Sequence, residues 1–229
     1  DSALGCHNGL RLAALNDANA VFGYQGLYHV MNQGGRVENG RATVAWKHAV
    51  SLDLVRWWRL KDALSPVNAS WGRSGACDGA VSFVKGQRGP VISYTPDCGD
   101  PLPAPPHSVA VDSRASTTDY PRIAIARPVD PDSPLLEEWF SGVPVQFQTE
   151  GCAFGGPIWK SGSGFSMVCV APVDSRLRST YARFSSTDLH HWRLADPHFA
   201  RGLNRSGQEV FNLGSSLLQR IPNPSPGGP

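Results

Sequence analysis

The sequence predicts an all-β protein, and three observations carry that expectation. Short apolar and aromatic runs recur between turn signals throughout the 229 residues, several alternating apolar and polar with period two. No long amphipathic helical pattern interrupts them. A seven-residue frame, S-x-D-L-x-x-W, occurs at 51–57 and again at 186–192, each time behind a strand-like run. Propeller blades bury their faces only against neighbours and can reuse one turn solution, so the echo favours a propeller among the all-β classes of propeller, barrel and sandwich.

The runs follow one another in order. VFGYQGLYHVMNQ and RATVAWKHAVS read as strands, and AVSFVKGQRGPVISYTP as a pair turning at Gly86-Gln87-Arg88-Gly89. HSVAVDS, RIAIARPV, FSMVCVAPV, STYARFSST and SSLLQRI continue the series. One helix-like piece stands at 132–139, where a polar cap and an early proline begin a short turn. The Pro-rich segment 96–106 reads as an extended surface loop, and the Pro/Gly-rich 221–229 as a terminus or linker that cannot form a central strand. The domain is therefore expected over 1–220, with 221–229 as a tail.

Composition removes several function classes. The chain is 41% hydrophobic, enough for a real core, and its formal charge of +2 comes from scattered residues without a like-charge run. Nucleic acid is not an expected partner. No apolar stretch reaches the roughly 20 residues of a membrane-spanning helix, and no signal-like segment opens the chain. The first residue is Asp1, which reads as processed or excised. Sequons at Asn68-Ala69-Ser70 and Asn204-Arg205-Ser206 fit a secretory protein. Cys6, Cys77, Cys98, Cys152 and Cys169 show neither zinc-ligand spacing nor a pairing pattern, so no metal or other cofactor is expected and the cysteines are either small buried hydrophobes or disulfide partners.

The stretch LNDANAVFGYQGLYHVMNQ at 15–33 carries the chemistry. On local physics Asp17 is a turn former, since Asn and Asp bond their own backbone. Its neighbours change that reading. His7 stands ten residues before Asp17, Asn16-Asp17-Ala18-Asn19-Ala20 is similar to an N-D-P-N-G box, and 26–33 is similar to G-x-Y-H-L-F-Y-Q. Trp46-Lys47-His48-Ala49-Val50-Ser51-Leu52-Asp53 through Trp57 resembles W-G-H-A-x-S-x-D-L-x-x-W, and Cys77-Asp78-Gly79-Ala80 an S-G-S/A turn. Ala126-Arg127-Pro128 and 133–139 resemble the segment leading to an R-D-P motif. In this order the boxes resemble glycoside hydrolase family 32, the invertases and fructan-active enzymes.

The resemblance implies a five-bladed β-propeller, of which this length supplies about the first three blades. It also implies a β-fructofuranosidase-type glycosidase acting on sucrose or a fructan, in an extracellular, cell-wall or vacuolar setting. A retaining glycosidase needs a nucleophilic carboxylate and a second carboxyl that acts as acid and then base, about 5 Å apart. By resemblance Asp17 is the nucleophile. Glu209 is the acid/base, standing where the family carries G-x-W-E-C-P-D; its alternative reading is an exposed strand-end carboxylate. Asn16, Gln33, Trp46, Trp71 and Asp78 are the expected substrate contacts, each with a packing or turn alternative.

The chain departs from the family where charge is expected. Gly155 and Gly156 stand at the Arg and Asp of R-D-P, and Ala14, Asn32 and Asp78 replace an aromatic residue, a Tyr and a Ser. Losing a carboxylate that holds sugar hydroxyls in the transition state costs orders of magnitude in rate. A carbohydrate-binding propeller without turnover, or a relative of another five-bladed glycosidase family, are therefore the competing readings. Asp78 is the first residue to inspect for compensation.

Overall fold

The computed structural model describes residues 15–38, 41–65, 75–96, 123–142, 144–148, 155–172, 179–200, 202–203 and 209–210. Among them no helix occurs, and the strands form three four-stranded antiparallel meanders. The first comprises β1 (Leu15–Tyr24), β2 (Leu27–Glu38), β3 (Arg41–Ser51) and β4 (Trp57–Arg59). Its opening hairpin turns on Gln25 and Gly26, both at positive φ as the favoured two-residue turn requires. The second comprises β5 (Ala76–Ser82), β6 (Val91–Pro96), β7 (Ala124–Pro128) and β8 (Trp139–Ser141).

A short β9 (Gln146–Phe147) leaves the second sheet and pairs in parallel with the outer strand of the third. That third sheet is β10 (Ile158–Ser161), β11 (Gly164–Pro172), β12 (Ser179–Ser186) and β13 (His191–Ala200). The two-residue strands β14 (Gly202–Leu203) and β15 (Glu209–Val210) pair with each other.

The core lies between sheets, as period-two alternation dictates. Ala20, Phe22, Met31 and Trp46 of the first sheet pack with Ile92, Tyr94, Ala124 and Ala126 of the second. The alternate residues of the second, Val91, Ile123 and Ile125, pack with Ile158, Met167, Phe184 and Trp192 of the third. All six residues of β6 are buried because this sheet is covered on both faces. These are the first three blades of a propeller, as the sequence predicts.

The repeated frame is a repeated structure. Ser51 Oγ accepts the Leu54 N–H at 2.8 Å, and Asp53 Oδ1 accepts the N–H groups of Val55 and Arg56. Leu54 takes φ 63° and its carbonyl accepts the Trp57 indole N–H at 3.2 Å. In the third blade Ser186, Asp188, Leu189 and Trp192 repeat every one of these bonds, with Leu189 at φ 66°.

A third copy escaped the sequence frame. The expected helix-like piece at 132–139 is instead the equivalent turn of the second blade: Leu136 takes φ 49° and its carbonyl accepts the Trp139 indole at 2.9 Å. Leu135 holds the place of the Asp, so the frame common to all three is S-x-x-L-x-x-W. A left-handed residue there ends any helical continuation. The expected strands HSVAVDS and SSLLQRI, the loop beyond Pro96 and the tail lie outside the described residues.

Candidate active site

Two β-bulges shape the end of the blades away from those turns. In the pairing of β1 with β2, Leu15 opposes Gly34 and Ala18 opposes Asn32, so Asn16 and Asp17 together face Gln33. A second irregularity follows at Asn19, between Ala18 and Ala20. In the pairing of β5 with β6, Ala76 opposes Pro96 and Gly79 opposes Tyr94, so Cys77 and Asp78 together face Thr95. An extra residue in one strand bends it and re-aims its side chains. The bulges bring the N-D box and the C-D-G turn, remote in sequence, to one place.

Gln33 joins them. Buried to 3% exposure, it donates Nε2 hydrogens to Asn19 Oδ1 at 3.4 Å and to Asp78 Oδ1. Gln33, Asn19 and Asp78 therefore form one connected polar group across the first two blades. Trp46 pins the second bulge from behind, its Nε1–H donating to the Cys77 carbonyl at 2.8 Å. Gly79 is what allows that approach: a Cβ there would stand 2.2 Å from the Ser93 carbonyl oxygen and 2.9 Å from Trp46 Cζ2. Trp46 is itself fully buried, with its indole N–H engaged by that carbonyl. It is the wall behind the site.

The Gly155-Gly156 pair is seated on β6. Ser93 Oγ donates to the Gly156 carbonyl, and the Gly155 N–H donates to Thr95 Oγ1 at 3.3 Å. A Cβ at Gly155 would meet backbone atoms of Ser93 and Tyr94 at 2.6 and 2.7 Å. No arginine fits at this position on this backbone.

Further along β2 and β3, on the same face of the first blade as Gln33, lies a buried imidazole pair. His29 Nδ1 and His48 Nε2 are 2.9 Å apart, and the His29 ring stacks on Phe22 with centroids 4.8 Å apart. Burial lowers the His29 pKa to about 4, only partly opposed by the Pro134 backbone. Burial, and then the charge of His29, lowers that of His48 to about 3. Both rings are neutral over the ordinary pH range and share a single proton in their mutual bond.

The remaining expected residues are placed by backbone or not at all. Asn16 and Asp17 lie in β1, and Glu209 lies in β15 opposite Leu203. Trp71 and His7 fall outside the described residues. Cys77 and Cys169 are both disulfide-bonded, which decides between the two readings for these cysteines. Among the described residues, no cluster of three or more His, Cys, Asp or Glu is arranged to hold a metal ion. Sequence reasoning missed Asn19 as a site residue and missed the His29–His48 pairing. Cross-strand register was the signal needed, because Met31 opposes His48 and places it diagonal to His29.

The chain is similar to several known proteins. A β-fructofuranosidase of Arabidopsis thaliana, insoluble isoenzyme CWINV4, is 30% identical over 187 residues, covering 78% of this chain and 28% of that protein. Fructan 1-exohydrolase IIa from Cichorium intybus superposes with a TM-score of 0.62 at 22% identity, covering 86% of this chain and 35% of the other. Sucrose-6-phosphate hydrolase from Lactobacillus gasseri gives 0.59 at 20% identity, with 86% and 36% covered. The chain thus spans about a third or less of the length of these relatives. The model of the glycosyl hydrolases family 32 N-terminal domain matches residues 11–213, and the chain belongs to that family.

Proposed function

We propose that this chain carries the first part of a retaining β-fructofuranosidase-type active site that acts on sucrose or a fructan. The observation that supports it best is the bulge that sets Asn16 and Asp17 against Gln33, itself bonded to Asp78, in a family 32 chain. Asp17 attacks the anomeric carbon of the fructosyl unit as the bond to the leaving oxygen breaks, and Glu209 delivers the proton to that oxygen. Glu209 then takes a proton from water, which displaces Asp17 and regenerates both groups. Asn16, Gln33 and Asp78 bind hydroxyls, and Trp46 and Trp71 are proposed with them. The domain runs over 1–220, and the 221–229 segment lies outside it.

Turnover is reduced because Gly156 offers no carboxylate. A secretory setting is supported by the two disulfide-bonded cysteines, since disulfides persist in oxidising compartments, and by the two sequons. The named relative is likewise an insoluble isoenzyme.

The test is fructose release from sucrose and inulin by the purified full chain. Asp17→Asn is expected to lower release by at least about a thousandfold, and unchanged release would remove Asp17 as nucleophile. The second reading, a sugar-binding propeller without turnover, is favoured specifically by the Gly155-Gly156 seat. It stands if calorimetry detects sugar binding while no fructose appears.

A further inference from the structure

We propose that Asp78 is a positioning residue that locks the Gln33 carboxamide in one orientation and so makes this part of the site a reader of hydroxyl donors. The inference rests on the fructosidase reading and adds to it a role for a residue that departs from the family pattern. A carboxamide can be turned either way, presenting a donor or an acceptor to whatever it faces. At Gln33 the choice is fixed by two acceptors. One Nε2 hydrogen goes to Asp78 Oδ1 and the other to Asn19 Oδ1, which leaves Oε1 as the atom for a ligand. The bond to a carboxylate is the stronger of the two kinds.

Asp78 is itself rigidly held. The residue before it is tied through its carbonyl to Trp46, and the one after it is pressed so closely on Trp46 and β6 that only glycine fits. A hydroxyl side chain at 78 can donate as well as accept and would not impose this orientation. With Asp78 in place the Gln33 oxygen accepts, so the matching ligand is a neutral sugar that offers it a hydroxyl hydrogen.

The test is a swap of polarity across the pair in the full chain, read by KM, kcat and calorimetric affinity for sucrose. Asp78→Asn and Gln33→Glu each lose the lock and are expected to weaken binding and raise KM about tenfold, the factor that 1.4 kcal/mol supplies, a larger change than in kcat. The double variant Gln33→Glu with Asp78→Asn restores a donor–acceptor bond in the opposite sense and again leaves an acceptor for the ligand. It is expected to recover most of the loss. Asp78→Ser, of smaller size, is expected to behave as Asp78→Asn does. Singles with wild-type KM and affinity, or a double no better than the worse single, would overturn the lock while leaving the fructosidase reading intact. A wild-type chain that neither binds nor cleaves sucrose or inulin overturns that reading, and the lock falls with it.

Discussion

Gly155 and Gly156 occupy neighbouring positions, yet substitution at each asks a different question. At Gly155 any side chain collides with the β6 backbone, so Gly155→Ala is expected to cost about 1–3 kcal/mol in urea unfolding, the range for overpacking a site that cannot yield. Gly156→Asp tests chemistry instead: restoring a carboxylate is expected to raise fructose release at least about tenfold if its absence limits turnover. A rise in sugar affinity without a rise in release would favour the binding module. The left-handed leucines make a parallel contrast. Leu54 is 53% exposed, so Leu54→Gly removes backbone strain and is expected to be neutral or to stabilise by up to about 1 kcal/mol. Leu189 has the same backbone but is 4% exposed, and Leu189→Gly is expected to destabilise by about 2–5 kcal/mol because it empties the core. At this scale the sequence was readable only in part. The box around Asp17, with Gln33 and Asp78, stood out as chemistry, but Asn19 did not, because its role depends on a bulge that no local pattern reveals.

Among elements, β2 and β3 carry the clearest pH dependence. His29 and His48 have pKa values near 4 and 3 in the fold and about 6.5 when the chain is open. The unfolded chain therefore binds protons first as pH falls. The stabilisation is fully present above about 6.5 and is lost as pH drops through about 4 and then 3. Urea midpoints measured from pH 7 to pH 3 are expected to fall across this window. Replacing both rings together, His29→Phe with His48→Leu, is expected to flatten that fall, because removing both partners leaves no buried nitrogen to protonate. A slope unchanged in the double variant would assign the effect to carboxylates elsewhere. The turns were half legible: two were visible through their Asp, whereas the third was hidden because a Leu replaces it while the Leu carbonyl and Trp indole keep the same bond.

At the scale of the whole molecule the all-β class and the blades were legible, since period-two alternation and short spacing survive divergence. What was not legible is the way blades are tied. Gln146–Phe147 leaves the second blade to run along β13, and the N–H groups of Gln146 and Gln148 donate to the carbonyls of His190 and Trp192. Phe147 packs edge-on against Phe184 with centroids 5.1 Å apart. Phe147→Ala is expected to cost about 2 kcal/mol, less than a fully buried ring because Phe147 is partly exposed, and to speed hydrogen exchange along β13 before that of β6. Uniform acceleration throughout would mean that the blades open as one unit. The three S-x-x-L-x-x-W turns all sit at the rim opposite the site, while β6 ends and β7 begins at the site rim, with 27 residues between them in sequence. One rim keeps the count of blades while the other is free to change length, so divergence in what is recognised can accumulate without disturbing the number of modules that do the recognising.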